Sequence, residues 1–273
     1  MHEMRGTFLD EFEYRPLHCH TPASAHLALL LAYDGTAYYG WQKTKEGPSI
    51  EASLEAALSQ IFQQPIELQA ASRTDRGVHA LGQVVDVWVS RHVQDYDRLL
   101  ISLNSLLPPD IRVRKVTEVP GSFHPTLDVT SKVYTYRVSV GAFQLPSERW
   151  THWHVHTPLD ITLLLDASKE FIGTHDFRGF TNNRKDLNQE TVRTIFRLDI
   201  QRGDQELTFE IEGDHFLYRM CRNIVGTLVS ISAGKLPRRA IQEAFQSRKR
   251  EHTGVTAPSH GLCLMRVSYD HSL

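Results

Sequence analysis

Cysteine is scarce in this chain of 273 residues, which has only Cys19, Cys221 and Cys263. The three are far apart and form no Cys-x-x-Cys pair, so neither a disulfide framework nor a zinc knuckle is indicated. An odd number of cysteines in a chain of this length is typical of a reducing compartment. We therefore expect a cytoplasmic protein.

Long hydrophobic runs and an excess of charge of one sign are also missing. No apolar run approaches the length needed to span a bilayer, and the N-terminus lacks the basic, apolar and small-residue order of a secretory signal. Lys and Arg number 30 and Asp and Glu number 32, which gives a formal net charge of −2. This balance argues against a polycation that binds nucleic acids without selectivity. It is compatible with a local basic cleft that binds one RNA.

Hydrophobic residues make up 41% of the chain and charged residues 23%, as in an ordinary globular protein. The length suits one large domain or two modest ones. Strand-like and helical patterns alternate without a uniform βαβ rhythm, which predicts a mixed α+β fold. Residues 1–25 have no clear period, and we expect them to form an N-terminal extension.

A short charged loop, residues 72–80, has the sequence Ser-Arg-Thr-Asp-Arg-Gly-Val-His-Ala. It follows a predicted helix that opens at residues 48–49 and precedes a strand-like run. Asp75 stands between Arg73 and Arg76, and guanidinium groups close to it would keep the carboxylate ionised. An ionised carboxylate on such a loop is a candidate nucleophile or base. An ordinary Asp-x-Gly turn with solvated arginines explains the same composition.

Residues 132–138, Lys-Val-Tyr-Thr-Tyr-Arg-Val, alternate as a β-strand does, which places Lys132, Tyr134 and Tyr136 on one face. A pair of aromatic side chains on neighbouring strands of a sheet surface would also explain this pattern.

Apolar residues recur at helical spacing from Phe216 to Ile231, and the pattern stops near a glycine and a proline at residues 233–237. Arg222 lies on a different face, near His215 and Arg219. A solvated helix surface accounts for this basic face equally well.

Three histidines, His152, His154 and His156, alternate along a predicted strand, and three histidines on one face can bind zinc. No cysteine or carboxylate at suitable spacing completes the ligand set, so we predict a half-exposed strand without a metal. Asp176 beside His175 offers a second carboxylate for acid–base chemistry, but we expect Asp176 to be a support residue.

Five segments resemble the TruA-type tRNA pseudouridine synthases. Residues 73–80 resemble their catalytic loop, which usually opens with Gly where this chain has Ser72. Residues 33–42 resemble Tyr-Asp-Gly-(Ser/Thr)-x-(Tyr/Phe)-x-Gly-Trp-Gln, and residues 132–136 resemble (Arg/Lys)-x-Tyr-x-Tyr. Residues 216–226 resemble Phe-Leu-x-x-Met-Val-Arg-x-Ile-x-Gly, and residues 256–264 resemble Thr-Ala-Pro-x-x-Gly-Leu-x-Leu.

The resemblance implies a role for each of four residues. Asp75 is expected to be the catalytic nucleophile, and Arg222 is expected to pair with it. Tyr134 is expected to stack on the target base. Arg73 is expected to fill the space that the flipped base leaves, or to hold its phosphate.

The resemblance also implies the reaction and the architecture. The reaction is the isomerisation of uridine to pseudouridine at positions 38–40 of the tRNA anticodon stem-loop, by a homodimer without cofactor or metal. The architecture is two ferredoxin-like α/β halves that share a continuous mixed sheet with a central active-site cleft. Residues 26–125 form the half that carries the Asp75 loop, and residues 126–273 form the other.

Two other classes of protein are compatible with parts of the sequence. A non-catalytic RNA-binding sheet would use Tyr134 for stacking and leave Asp75 and Arg222 without a role. A carboxylate-based hydrolase would use Asp75 together with Asp176 and would release a free base or sugar.

Overall fold

The computed structural model describes residues 24–182 and 190–270, so most of the predicted N-terminal extension lies outside the described residues. The strands are β1 (Ala25–Tyr33), β2 (Leu68–Ala70), β3 (His79–Val89), β4 (Ile111–Glu118), β5 (Val129–Val140), β6 (Trp153–Val155), β7 (Gly173–Asp176), β8 (Val192–Arg202), β9 (Glu206–Gly213) and β10 (Leu262–Tyr269). The helices are α1 (Ile50–Phe62), α2 (Tyr96–Leu106), α3 (Ile161–Ser168), α4 (Met220–Ser232) and α5 (Ala240–Ser247).

All of these strands belong to one sheet with the order β4-β1-β3-β10-β5-β9-β8-β7, to which β2 adds beside β3 and β6 beside β5. The first half of the sheet runs β1-α1-β2-β3-α2-β4 along the chain, with β4-β1-β3-β2 as its spatial order. This is the ferredoxin-like arrangement. The second half repeats it, because β5, α3, β8, β9, α4 and β10 give the spatial order β10-β5-β9-β8.

The two halves meet where β10 runs parallel to β3, with Cys263 opposite His79 and Leu264 opposite Ala80. Every other pairing in the main path is antiparallel. The α+β class and the continuous mixed sheet are therefore confirmed. The division between residues 125 and 126 stays a prediction and falls in the connection between β4 and β5.

The first two helices begin where their capping residues predict. Ser49 Oγ accepts a hydrogen bond from Ala52 N, and Asp95 Oδ1 accepts one from Arg98 N. Such side chains satisfy backbone N–H groups that have no partner within the helix. No helix of the described residues is long and apolar enough to cross a membrane.

The sequence places the start of α4 four residues too early. Its apolar spacing begins at Phe216, but the helix begins at Met220, because Arg219 has left-handed backbone angles (φ 60°, ψ 12°). From there α4 is buried along almost its whole length. It is packed into a hydrophobic core that is continuous across both halves of the sheet.

Candidate active site

The loop at residues 72–77 joins β2 to β3 and is held at its start by a side chain from β3. Gln83 is fully buried. Its Nε2 donates to Ser72 O at 2.6 Å, while Ser72 N donates to its Oε1 at 3.2 Å. Two residues further on, Thr74 Oγ1 lies 2.7 Å from the hydroxyl of Tyr33 on β1. Both neighbouring strands therefore fix the course of this loop.

The segment after β1 lies directly against the same loop. Trp41 N donates to Thr74 O at 3.0 Å. Gly40 has a φ of +95°, and a β-carbon there would lie 2.6 Å from Thr74 O, so the contact requires glycine. Gly77, with a φ of +76°, allows the turn in which Val78 N donates to Asp75 O at 3.1 Å.

The Asp75 carboxylate lies beside two guanidinium groups from the other half of the chain. Arg222 Nη1 donates to Asp75 Oδ2 at 2.7 Å, and Arg219 Nε lies 3.9 Å from the same oxygen. Asp75 is 18% exposed and Arg222 is 11% exposed. Removing one partner from such a pair generally costs about 3–5 kcal/mol. Among the described residues, the carboxylate makes no other hydrogen bond, so Oδ1 keeps its lone pairs.

The sequence predicted the carboxylate's arginine neighbours only in part. It placed Asp75 between Arg73 and Arg76, whereas the cationic partners come from the start of α4. Arg76 instead lies with its guanidinium carbon 4.0 Å from the centre of the Tyr39 ring. Arg73 is exposed at the loop surface.

Arg222 is held in place by the loop before β10. Its Nε donates to Ala257 O at 2.7 Å, and Ala257 N donates back to Arg222 O at 3.1 Å. This loop lies on α4 at Gly226, where a β-carbon would come within 1.7 Å of Val255 O. The guanidinium orientation therefore depends on close contact between a helix and a loop.

Arg250 fixes that loop in turn. It donates to Gly254 O at 2.7 Å, to Thr256 Oγ1 at 2.9 Å and to Asn223 Oδ1 at 3.0 Å. The fully buried Asn223 also donates to Phe180 O at 2.7 Å. Arg250, like Arg219, is a site residue that the sequence prediction missed. The contact of Arg250 with Asn223 and that of Arg219 with Asp75 join distant parts of the chain, so local patterns carried no signal for them.

Tyr134, predicted to stack on a base, lies on β5 behind the loop and is 6% exposed. Its hydroxyl is 2.7 Å from Ser72 Oγ, and its ring meets Phe216 edge-on with a centroid distance of 5.2 Å. Burial raises the pKa of Tyr134, so its hydroxyl stays protonated at neutral pH. Ser72, which replaces the usual glycine, thus links the loop to the aromatic strand.

Two titratable groups lie beneath the start of the loop. Lys132 Nζ donates to Ala71 O at 2.6 Å, and burial, followed by the charge of Arg193, lowers the pKa of Lys132 to about 8. Burial, followed by the charge of Lys132, lowers the pKa of His215 to about 4. The loop therefore lies over a region that disfavours added positive charge.

The other predicted candidates have local contacts of their own. His154 Nε2 lies 2.9 Å from Gly141 O, and His152 Nε2 lies 3.4 Å from Glu206 Oε1. Across residues 24–182 and 190–270, no three His, Cys, Asp or Glu side chains are grouped as a metal site requires. The expectation of no metal stays a prediction.

Asp176 has a structural environment. Its Oδ1 accepts hydrogen bonds from Arg178 N at 3.1 Å and Thr191 Oγ1 at 2.6 Å, and its Oδ2 lies 2.8 Å from Arg248 Nε. It caps the short 3-10 helix Phe177–Phe180. These contacts occupy both carboxylate oxygens, as a support residue requires.

The site thus combines one carboxylate, a half-buried cationic partner and a tyrosine in a single loop-centred cluster. Comparisons with known proteins point the same way. A sequence profile described as tRNA pseudouridine synthase matches residues 30–128 and 167–270. The protein named tRNA pseudouridine synthase A 2 from Protochlamydia amoebophila is 44% identical over 246 residues, which cover 89% of this chain and 94% of that protein.

Two further relatives cover the same share of this chain. The protein named tRNA pseudouridine synthase A 1 from Protochlamydia amoebophila is 39% identical over 249 residues, with 96% of it covered. The protein named tRNA pseudouridine synthase A from Acetivibrio thermocellus is 38% identical over 244 residues, with 99% of it covered. The chain therefore belongs to the tRNA pseudouridine synthase family, and it is an isomerase that acts on uridine in tRNA.

Proposed function

We propose that this isomerase acts at positions 38–40 of the tRNA anticodon stem-loop, with Asp75 as its nucleophile. The observation that carries the proposal is the contact of 2.7 Å between Asp75 Oδ2 and Arg222 Nη1, which joins residues 147 positions apart. The guanidinium holds one oxygen of the carboxylate in place and leaves the other with free lone pairs. An ionised oxygen with free lone pairs is what a nucleophile requires.

The reaction moves one bond within a single nucleotide. The bond from C1′ to N1 breaks and a bond from C1′ to C5 forms, while C5 loses a proton and N1 gains one. No atom is gained or lost, so the mass of the RNA is unchanged and neither a cofactor nor a metal is needed. The target base has to leave the helical stack first, at a cost of roughly a few kcal/mol.

The neighbouring side chains suit the other steps. Tyr134 would stack on the extruded base, a type of contact worth about 1–3 kcal/mol. Arg73, exposed on the same loop, would fill the vacated space or hold the phosphate of the flipped nucleotide. Ser72 supports Tyr134 in this role, because its Oγ lies 2.7 Å from the tyrosine hydroxyl.

We also propose that the protein is cytoplasmic and homodimeric. The spacing of the cysteines favours a reducing compartment, and Cys221 and Cys263 are both free thiols. The proposal of a homodimer comes from the resemblance of the sequence motifs to those of TruA-type synthases. Light scattering tests it, because the mass should be twice the 31.2 kDa of one chain. A mass of one chain at micromolar concentration contradicts it.

Pseudouridine mapping on unmodified tRNA transcripts tests the proposed chemistry. The wild-type protein should modify uridines of the anticodon stem-loop, whereas Asp75→Asn should bind tRNA and form no product. Asp199→Asn is the matched control, because Asp199 is an exposed aspartate on β8 paired with Arg197 at 2.6 Å. It should retain normal turnover.

Three results would contradict the proposal in different ways. Near wild-type turnover by Asp75→Asn would rule out the nucleophile. Binding of tRNA without product by the wild-type protein as well as by Asp75→Asn would favour the non-catalytic RNA-binding alternative. Release of a free base or sugar would favour the hydrolase.

A further inference from the structure

Arg219 is the second guanidinium beside Asp75, and it is held differently from Arg222. Its Nε lies 3.9 Å from Asp75 Oδ2, which is beyond hydrogen-bond distance. The same Nε is buried and has no hydrogen-bond partner among the described residues. A buried donor without an acceptor costs free energy. The contacts of Arg219 therefore leave at least one of its N–H donors without an acceptor.

The backbone at Arg219 is also unusual. Three described residues other than glycine have a positive φ, namely Gln63, Arg219 and Arg248. Gln63 and Arg248 end helices, where left-handed angles are common. Arg219 instead precedes a helix, and its β-carbon makes this conformation costly. Such costs are often retained at functional sites.

The side chain of Arg219 is partly accessible, with 36% of it exposed. Its guanidinium carbon lies 4.7 Å from the ring centre of Tyr218, which is 48% exposed. An aromatic ring in this position orients a guanidinium group by a cation–π contact. Arg222, by contrast, is already bonded to Asp75 and Ala257.

The charges beside the loop do not balance. Two guanidinium groups face the single carboxylate of Asp75, which leaves one positive charge in excess, and Arg219 is the more exposed of the two. An internal nucleoside of RNA has a phosphate on either side. A cation beside the group that acts on the nucleoside is therefore within reach of a phosphate, and guanidinium binds phosphate in a bidentate manner.

We propose that Arg219, oriented by Tyr218, binds a backbone phosphate adjoining the target uridine. This inference rests on the proposed function, because it needs a uridine of RNA at Asp75. It makes Arg219 a substrate-binding residue that gives up its long contact with Asp75 when RNA enters.

Binding of an anticodon stem-loop RNA at several NaCl concentrations tests the contact. Arg219→Gln should weaken binding about tenfold or more, as expected for a hydrogen bond to a charged group. The slope of log Kd against log[NaCl] should fall by roughly 0.7–0.9, which corresponds to one phosphate. Arg219→Lys should retain the wild-type slope, because it keeps the charge.

Arg91→Gln is a matched control. Arg91 is also an exposed arginine over an aromatic ring, with its guanidinium carbon 5.6 Å from the centre of Phe62. It follows the end of β3 that is opposite to the Asp75 loop, roughly 30 Å away by strand length. Its replacement should leave the salt slope unchanged.

Neutral linkages identify the phosphate. One methylphosphonate should be placed in turn on either side of each candidate uridine in the stem-loop. At one linkage, the methylphosphonate should weaken RNA binding by the wild-type protein about tenfold. At the same linkage it should not weaken RNA binding by Arg219→Gln any further. An unchanged salt slope in Arg219→Gln, or equal losses for both proteins at every linkage, would overturn the inference.

Pseudouridine formation by the wild-type protein, measured on the unmodified stem-loop, separates the two proposals. If product forms normally but no methylphosphonate effect depends on Arg219, the phosphate contact is refuted and the proposed chemistry stands. Coupling without product would refute the proposed chemistry and leave the contact standing.

Discussion

Lys132 places a positive charge in the protein interior beneath the start of the loop that carries Asp75. Its Nζ reaches Ala71 O at 2.6 Å, one residue before the loop begins. Burial lowers the pKa of this lysine to about 8. The charge is costly to the folded protein, and its contact is with the segment that leads into the loop.

The free energy of unfolding should reflect this pKa. Between pH 8 and pH 10.5 the folded protein binds fewer protons at Lys132 than the unfolded chain, so the contribution of this residue to stability rises with pH. Relative to Lys132→Met, the wild-type protein should gain about 2 kcal/mol between pH 7 and pH 9.5. Urea unfolding at both pH values measures the difference.

Lys43 provides the control for this experiment. It is exposed, and its contact with Glu55 at 2.7 Å raises its pKa. Lys43→Met should therefore differ from the wild-type protein by the same amount at both pH values. A constant difference for Lys132→Met as well would refute the lowered pKa.

At the scale of elements, α4 and the loop before β10 act as one unit. Gly226 lets the backbone of Val255 lie against the helix, and Ala257 then accepts the Nε–H of Arg222. The distance between two backbones thus determines where a side chain at the active site points.

Gly226→Ala should separate this helix from the loop. Its new methyl group would lie 1.7 Å from Val255 O, which neither backbone can accommodate in place. We expect the free energy of unfolding to fall by about 1–3 kcal/mol, the usual cost of overpacking. Pseudouridine formation should fall further than the loss of folded protein explains, because Arg222 is displaced. Chemical denaturation and activity assays measure the two effects.

Gly203→Ala is the matched substitution. Gly203 lies in the turn between β8 and β9, where the nearest atoms to a new β-carbon are 3.7 Å away. Its stability and turnover should stay near wild type. Equal effects of the two substitutions would mean that contact with α4 does not position Arg222.

At the scale of the whole molecule, the two ferredoxin-like halves are joined at the centre of the sheet. β3 and β10 share two residue pairs, and Asp75 and Arg222 join across the same junction. The hydrophobic core is continuous through both halves. Neither half therefore has a hydrophobic core that is separate from that of the other half.

We expect both halves to unfold together. Native-state hydrogen exchange in increasing urea should give one midpoint for peptides from β1 and from β9, because opening one half exposes the core of the other. Two separate midpoints would show that residues 26–125 and 126–273 are independent folding units.

Local chemistry made much of this fold predictable. Ser49 marked the start of α1, and alternation marked β5. The start of α4 was misplaced because a left-handed arginine breaks the helix without changing its apolar period. The predicted strand with three histidines is shorter than expected, since β6 covers only Trp153–Val155.

The site was less accessible to prediction from local patterns. The residues themselves marked Asp75 as a candidate, but only the resemblance to a family paired it with Arg222. The contact of Ser72 with Tyr134 and that of Arg250 with Asn223 depend on packing between segments far apart in sequence. No local period encodes such contacts, which is why Arg219 was noted only as part of a basic face.

The position of β10 has a consequence for how the protein is made. β10 follows all the other described strands in the chain, yet it lies between β3 and β5 in the sheet. During synthesis, the ribosome releases β1 to β9 before β10 exists, so the parts of β3 and β5 that pair with β10 have unpaired edges for that time. Such edges attract other chains. The yield of folded enzyme should therefore depend on how quickly β10 is synthesised. It should also depend on chaperones that cover the exposed edges of β3 and β5 until then.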